Sequence, residues 1–259
     1  MSAAGVEVRL LDEPSELAAA AAVFETIWGC PEATANLLKA LSFAGHYVSG
    51  AWAEGEMVGG AFGFLSAPWP SRLHSHVAGV AARHQGRGIG FAIKQHQRAW
   101  AIARGIPEIT WTFDPLVRRN AWFNLEKLGA TAGAYYPDFY GRLTDALNDG
   151  DETDRCLVRW DLTPPAPATN RAAGSAAVIL RVGAGDRPVV QQKPPAGEAR
   201  SPLRCQVPDD IGAIRRRDPT LAREWRLALR HTLGEVIASG YVATGFDRHA
   251  GYLLEPVPQ

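Results

Sequence analysis

From Val77 to Gly90 the chain reads Val-Ala-Gly-Val-Ala-Ala-Arg-His-Gln-Gly-Arg-Gly-Ile-Gly, and no other stretch constrains the fold as much. A short apolar run gives way to a glycine-rich loop. A helix follows, with Ile89, Ala92, Ile93, His96 and Trp100 spaced along one face. The order strand, glycine loop, helix aims several backbone N–H groups and the positive end of a helix dipole at one point, which suits a phosphate or pyrophosphate. Glycines let the backbone approach such a ligand with no Cβ in the way. Arg87 adds positive charge where an anion would sit.

Two familiar phosphate loops fail here. The dinucleotide pattern G-x-G-x-x-G meets Phe91 where its last glycine should stand, and the P-loop pattern lacks a following Lys-Ser/Thr. The pattern that fits is Q-x-x-G-x-G, read as Gln85, Gly88 and Gly90. It resembles the acyl-CoA-binding loop of the GNAT superfamily of N-acyltransferases, which cradles the pyrophosphate of coenzyme A. A glycine-rich strand-to-helix turn with no ligand would share this short pattern. The resemblance implies that Gln85, Gly86, Arg87, Gly88, Ile89, Gly90 and Phe91 lie at the pyrophosphate. It also implies that Ala78, Gly79 and Val80, on the strand before the loop, contact the pantetheine arm and the thioester.

Composition narrows the classes. At 259 residues, 46% of them hydrophobic, the chain can bury a sizeable core. Lys and Arg number 27 and so do Asp and Glu, so no global field draws the chain to nucleic acid or to an anionic membrane. The run Arg215-Arg216-Arg217 is the one basic cluster and reads as a solvated helix face. Cys30, Cys156 and Cys205 are far apart and odd in number, so neither a zinc site nor a disulfide framework is expected, and no metal is implied. No basic segment followed by an apolar core opens the chain, and no apolar run approaches the ~20 residues of a membrane span. A cytoplasmic protein is the expectation.

The coarse order of elements is strand (6–11), helix (to Trp28), helix (32–43), hairpin (47–53 and 57–65), strand (73–82), helix (88–104), strand (108–113), short helix (120–128) and strand (155–162). That is the GNAT order. The expected fold is α/β of the α+β kind: a mixed, mostly antiparallel central sheet flanked by helices, with a C-terminal extension packed on it. Residues 1–162 read as the acyltransferase domain and 163–259 as the extension. The extension begins with a proline-rich linker (163–170) and a strand (176–182), then a polar, proline-containing loop (187–204). A helix (220–239) and a terminal hairpin (241–246 and 252–254) complete it.

Acyl transfer from a thioester to an amine needs a donor for the developing oxyanion and a base for the amine proton. His74 and His76 lie on the strand before the loop and share a face by alternation, with Ser75 opposite. His76 is the candidate base, and the same alternation puts it on the face of Val80. Asp114, ending the next strand, is the rival base or else the opening residue of an Asp-Pro turn. Many GNAT enzymes carry N-x-x-A-x-x-x-Y-x-K-L-G-F on the following helix, with the tyrosine protonating the thiolate. Here Glu126-Lys127-Leu128-Gly129 aligns, but the tyrosine position is Leu125, so that acid is absent. Asn120 and Asn124 share a helix face and could hydrogen-bond the coenzyme arm or close a turn.

The blocks 73–76, 111–116, 120–129, Tyr140-Gly141, Leu147-Asn148 and Asp154-Arg155 are similar to a branch of large predicted GNAT acetyltransferases with a C-terminal extension. Some members of that branch acylate amino acids from succinyl-CoA or acetyl-CoA. The resemblance places Tyr136 and Tyr140 near the acceptor mouth, where an apolar ring with a polar tip suits a small amphiphile. The implied activity is transfer of an acetyl or other short acyl group, succinyl included, from acyl-CoA to the amine of a small molecule such as an amino acid. The co-substrate is acetyl-CoA or another acyl-CoA, and a homodimer is an allowed assembly. A protein lysine or N-terminal acyltransferase and a non-catalytic acyl-CoA-binding module remain as alternatives.

Overall fold

The computed structural model describes residues 5–67, 72–141, 151–163, 176–191 and 201–257. Pro68 and Pro70, the Leu147-Asn148 block and the body of the 163–170 linker lie outside the described residues. So does the middle of the loop expected at 187–204. By internal contacts the chain forms two compact units, Met1–Trp111 with Asp161–Pro164, and Thr112–Trp160 with Pro165–Gln259.

Unit 1 opens with β1 (Val6–Leu10), α1 (Pro14–Trp28) and α2 (Ala35–Phe43). Pro14 sits in the first turn of α1, where its missing N–H costs nothing. The Thr34 hydroxyl accepts from Leu37 N at 3.2 Å and starts α2. Then come β2 (Tyr47–Ala53), β3 (Glu56–Leu65), β4 (Leu73–Val80), α3 (Ile89–Ile102) and β5 (Glu108–Phe113). The strand order is β1-β2-β3-β4-β5. The first four strands pair antiparallel and β5 joins β4 in parallel. Leu17, Phe24, Leu38, Val48, Phe62 and Val77 form the core between the α1/α2 pair and one face of this sheet. On α3, Ile89, Ile93, Trp100 and Ala101 are buried, and the Tyr47 hydroxyl of β2 bonds His96 Nδ1 at 2.8 Å.

Unit 2 holds α4 (Arg118–Trp122), which continues into a π-helical turn at Phe123–Lys127, and then β6 (Thr131–Tyr136) and β7 (Arg155–Asp161). β8 (Ala177–Val182), β9 (Pro188–Val190) and β10 (Leu203–Cys205) follow. Next are α5 (Ile211–Arg217) and α6 (Pro219–Leu229), a π-helical turn at Arg230–Gly234 and α7 (Glu235–Ala238). β11 (Tyr241–Asp247) and β12 (Gly251–Pro256) end the chain's described structure. Its strand order is β7-β6-β11-β12-β10-β8-β9. Among the described residues no helix is long and apolar enough to cross a membrane.

Three expectations change. β6 was not expected: Thr-Ala-Gly-Ala-Tyr-Tyr has a weak strand signal of its own, and the segment becomes a strand because β7 and β11 pair with its two edges. β9 and β10 occupy the ends of the expected 187–204 loop for the same reason. The single helix expected at 220–239 is present from Pro219 to Ala238 with a π-helical turn inside it at Arg230–Gly234, and an additional helix, α5, precedes it. Within unit 2 the strands after 163 continue the sheet of β6 and β7. Phe246 N donates to Glu126 Oε1 at 2.7 Å, and the Tyr252 hydroxyl donates to the Pro115 carbonyl at 2.6 Å.

A buried ring of charges fastens the helices of unit 2. Arg215 Nη2 meets Asp114 Oδ2 at 2.6 Å, and its Nε meets Asp151 Oδ2 at 3.1 Å. Arg226 meets the same two carboxylates at 3.4 and 2.6 Å. Arg215 therefore departs from the solvated face expected for the arginine run: it turns inward while Arg216 and Arg217 stay exposed. Breaking a buried pair by removing one partner costs about 3–5 kcal/mol. Arg226→Leu is expected to lower the melting temperature markedly. Arg226→Lys should recover little of it, because an ammonium cannot bridge two carboxylates as a guanidinium fork does. A thermal scan showing both variants equal to wild type would remove the ring from the account of stability.

Candidate active site

The glycine loop of unit 1 is built as its sequence suggests, with one difference. After β4, Ala81 N donates to the Val58 carbonyl at 2.8 Å and a single 3₁₀ turn covers Ala82–His84. The Gln85 amide donates to the Val80 carbonyl at 3.0 Å, so this side chain fastens the loop to the end of β4 rather than reaching outward. Gly88 begins α3 with φ +83, a left-handed conformation that favours glycine. It brings no side chain to cap the helix, and the first-turn N–H groups of α3 have no partner inside the helix. A Cβ built on Gly90 would find only Val80 Cγ2, at 4.0 Å, so a side chain has space at this position. Arg87 is countered by Glu54, with His84 Nδ1 3.2 Å away, and Arg83 is countered by Glu56. These are exposed pairs worth little, so an arriving anion can exchange for either carboxylate at small cost.

The register between β4 and β5 covers Leu73↔Ile109 and His74↔Thr110 and stops there. From Ser75 to Val80, β4 runs on paired to β3 but beyond its register with β5. Along this same stretch the pairing with β3 slips. Phe62 faces Val77 and Phe64 faces His74, so β4 carries one extra residue, a β-bulge. The bulge overturns the expected shared face of His76 and Val80. The His76 ring lies 5.6 Å from that of Phe62, and Phe62 lies 5.7 Å from Phe24 of α1. A Cβ on Gly79 would strike Trp28 of α1 at 2.5 Å. Ser75 and Val80 instead meet α3. His74, His76 and Gly79 thus share the α1 face, and Val80 lies on the other.

On that face His76 sits among Phe62, Phe64 and His74, at 5.6, 5.7 and 6.2 Å between ring centroids. Partial burial among these rings lowers its pKa below the ordinary histidine value, so the ring is neutral at pH 7. His74 is lowered too, first by burial and then by the nearby charges of His76 and Lys94. Its Nδ1 lies 3.2 Å from Thr110 Oγ1.

Sequence reasoning missed Lys94. It is 5% exposed on α3. Its Nζ donates to Ser75 Oγ at 2.9 Å and to Gln97 Oε1 at 3.1 Å, and it lies 3.9 Å over the Trp111 ring. Burial lowers its pKa to about 7. A signal was present: Lys94, Gln97 and Ala101 continue the buried stripe of α3 at helical spacing.

The remaining candidates belong to unit 2. Asp114 is sealed in the ring with Arg215 and Arg226, and its Oδ1 accepts from Leu116 N at 2.9 Å. The two guanidinium groups outweigh its burial and hold its carboxyl well below the usual range. A carboxylate so weakly basic and so covered does not fit the role of base, and the Asp-Pro turn reading fits it better. Leu125, at the family's tyrosine position, is fully buried, and Asn124 beside it is buried too. Asn120 lies at the start of α4 with its N–H bonded to the Val117 carbonyl at 3.0 Å. Tyr136 and Tyr140 are both 39% exposed and pack against Phe139, tilted and edge-to-face, at 5.4 and 4.7 Å between centroids. The Tyr140 hydroxyl lies 3.2 Å from Thr112 Oγ1. Cys156 and Cys205 are buried, and burial raises both thiols, Cys205 to about 12, so neither is a ready nucleophile.

Residues 17–130 match the acetyltransferase (GNAT) family. The chain carries a GNAT acetyltransferase domain. Among solved structures, the domain is similar to yncA of Salmonella typhimurium, a proposed acetyltransferase solved with its cofactor acetyl-CoA. The identity is 17%, over 64% of this chain and 99% of that one, with a TM-score of 0.51. An N-acetyltransferase from Staphylococcus aureus Mu50 is 16% identical over 61% of this chain and 99% of that one, also with a TM-score of 0.51. At these identities the likeness is one of fold. No curated protein sequence matches the chain.

The GNAT domain therefore holds a buried lysine with a measurable consequence. Unfolded, Lys94 keeps its proton to about pH 10.5, whereas folded it releases it near 7. Between these values the unfolded chain binds more protons, so this lysine makes stability rise with pH and fall as pH drops toward 7. Lys94→Met should abolish that dependence. The melting temperature of the variant should exceed that of wild type most at pH 6, and the gap should narrow by pH 9. A gap that stays constant across this range would show that Lys94 does not titrate in the folded protein.

Proposed function

We propose that this chain transfers a short acyl group, acetyl or succinyl, from acyl-CoA to the amine of a small molecule such as an amino acid. The observation that carries this reading is the end of β4 with its loop: a strand edge running past its register with β5, leading through Gly88 into a helix N-terminus with no side-chain cap. Gly86 to Phe91 would receive the pyrophosphate, and the backbone of Ala78, Gly79 and Val80 would face the pantetheine arm and thioester.

The amine attacks the thioester carbonyl directly. A C–N bond forms, the C–S bond breaks, and the amine proton passes to His76, which is neutral near pH 7 and so able to accept it. With Leu125 in the tyrosine position, the departing thiolate takes its proton from water. Tyr136 and Tyr140 offer exposed rings with polar tips, which supports a small amphiphilic acceptor.

Thiol release from acetyl-CoA and succinyl-CoA, measured across a panel of free amino acids, tests the activity. Coenzyme A binding without release above the acceptor-free background would make the chain a binding module. The loop has its own test. Gly90→Asp adds an acidic residue to the first turn of α3, where the helix dipole favours it and the Cβ has space. The fold should hold while coenzyme A affinity falls at least about tenfold, roughly 1.4 kcal/mol. Unchanged affinity by calorimetry in the folded variant would remove the coenzyme from this loop.

His76→Ala should lower kcat/KM by about 10²–10⁴ at neutral pH with coenzyme A affinity nearly intact. The loss should shrink at high pH, where free amine is abundant. Wild-type kcat/KM should rise with pH through a value below 6.5, as the lowered pKa of His76 requires, and this limb should vanish in the variant. Near-normal turnover of His76→Ala would make the residue structural and leave the proton to a water chain.

A further inference from the structure

We propose that Lys94 is a positioning residue for acyl transfer, holding the β4 bulge through Ser75 in the shape that sets His76 and the strand after it. The proposal rests on the acyltransferase reading above. Ser75 lies in the interval where β4 has one residue more than β3, so strict alternation of ladder bonds cannot fix it. The interval also lies beyond the register with β5. What reaches Ser75 from outside the ladder is the Lys94 ammonium, at 2.9 Å from its hydroxyl. Gln97 and the face of Trp111 hold the other sides of that ammonium. One helix therefore ties two parts of the site. The N-terminus of α3 faces the glycine loop, and its second turn anchors the bulge.

The cost of this arrangement points to function rather than to stability. Among the described residues no carboxylate pairs with Lys94, whose hydrogen-bond partners are Ser75 and Gln97, and the His74 ring, on the other face of β4, is close enough for the two charges to disfavour each other. A buried amine without a counter-charge is expensive. Gln97 Nε2, also buried, has no hydrogen-bond partner. A methionine would fill nearly the same volume without the charge, so a residue chosen only for packing would not be lysine. Local features that work against stability concentrate at functional sites.

The test is Lys94→Met beside Ser75→Ala and the double variant. Lys94→Met should melt higher than wild type and bind coenzyme A with Kd within about twofold, because the loop is untouched. Its kcat should fall on the order of 10- to 100-fold, the scale of a small misplacement at a reacting centre. Ser75→Ala should lose a similar factor, and the double variant no more than either single one. Amide hydrogen exchange at Ser75, His76 and Val77 should quicken at least about tenfold, with β2 and the β3 core unchanged. The proposal is overturned if Lys94→Met keeps kcat within twofold of wild type, or leaves the bulge amides as protected as before. It is equally overturned if the variant loses rate only together with melting temperature. If wild type releases no thiol with any amine, the acyltransferase reading fails, and the exchange measurement decides the role of Lys94 by itself. If Lys94→Met does not fold, Ser75→Ala carries both measurements.

Discussion

The second unit depends on the ring formed by Asp114, Asp151, Arg215 and Arg226. Two carboxylates are desolvated together, and each meets both guanidinium groups. None of the four could be buried singly, so the ring forms as a whole or not at all. It brings α5 and α6, which come from the extension, to the turn that follows β5. A second group beside it, Arg230 with Glu152 and Asp154 and the Tyr135 hydroxyl on Asp154, repeats the device one helical turn further along. The extension is thereby joined to the last strands of the acyltransferase fold as one body, and Asp114 is spent on structure.

In the first unit the comparable constraint is α3. Its stripe of Ile89, Ile93, Trp100 and Ala101 supplies burial, while Lys94 and Gln97 interrupt that stripe with polar groups facing β4. The apolar residues would hold the helix on the sheet by themselves. The polar pair adds a direction: it draws on Ser75 at the one place in β4 where regular pairing fails. A bulge re-aims side chains, and here it turns His76 toward Phe62 and the α1 face instead of the face of Val80. Partial burial among the rings of Phe62, Phe64 and His74 lowers the pKa of His76.

Leu125 stands where many GNAT enzymes carry a tyrosine, and it is fully buried beside the buried Asn124. The π-helical turn at Phe123–Lys127 widens the helix there, and such turns mark sites where a helix has been reshaped. Catalysis without that acid places more weight on positioning of the amine and the carbonyl, which is the work of a strand held in one shape.

Much was legible in the sequence. The glycine loop, the helix after it, the hairpin of β2 and β3 and the terminal hairpin of β11 and β12 each carry a local signal: positive φ at glycine, helical spacing or strand alternation around a turn. These local energies act over a few residues, so the sequence by itself determined these elements, the family resemblance and the glycine loop that joins β4 to α3. Only the tertiary structure decided the rest. β6, β9 and β10 are strands because their neighbours pair with them. Arg215 is buried because Asp114 and Asp151 await it, although Arg216 and Arg217 beside it stay exposed. His76 faces α1 because one extra residue in β4 breaks the period of two, and whether a strand slips its register is settled by its partner strand and by the helix beneath it. Pairing and burial join residues far apart in the chain, and no local pattern records them.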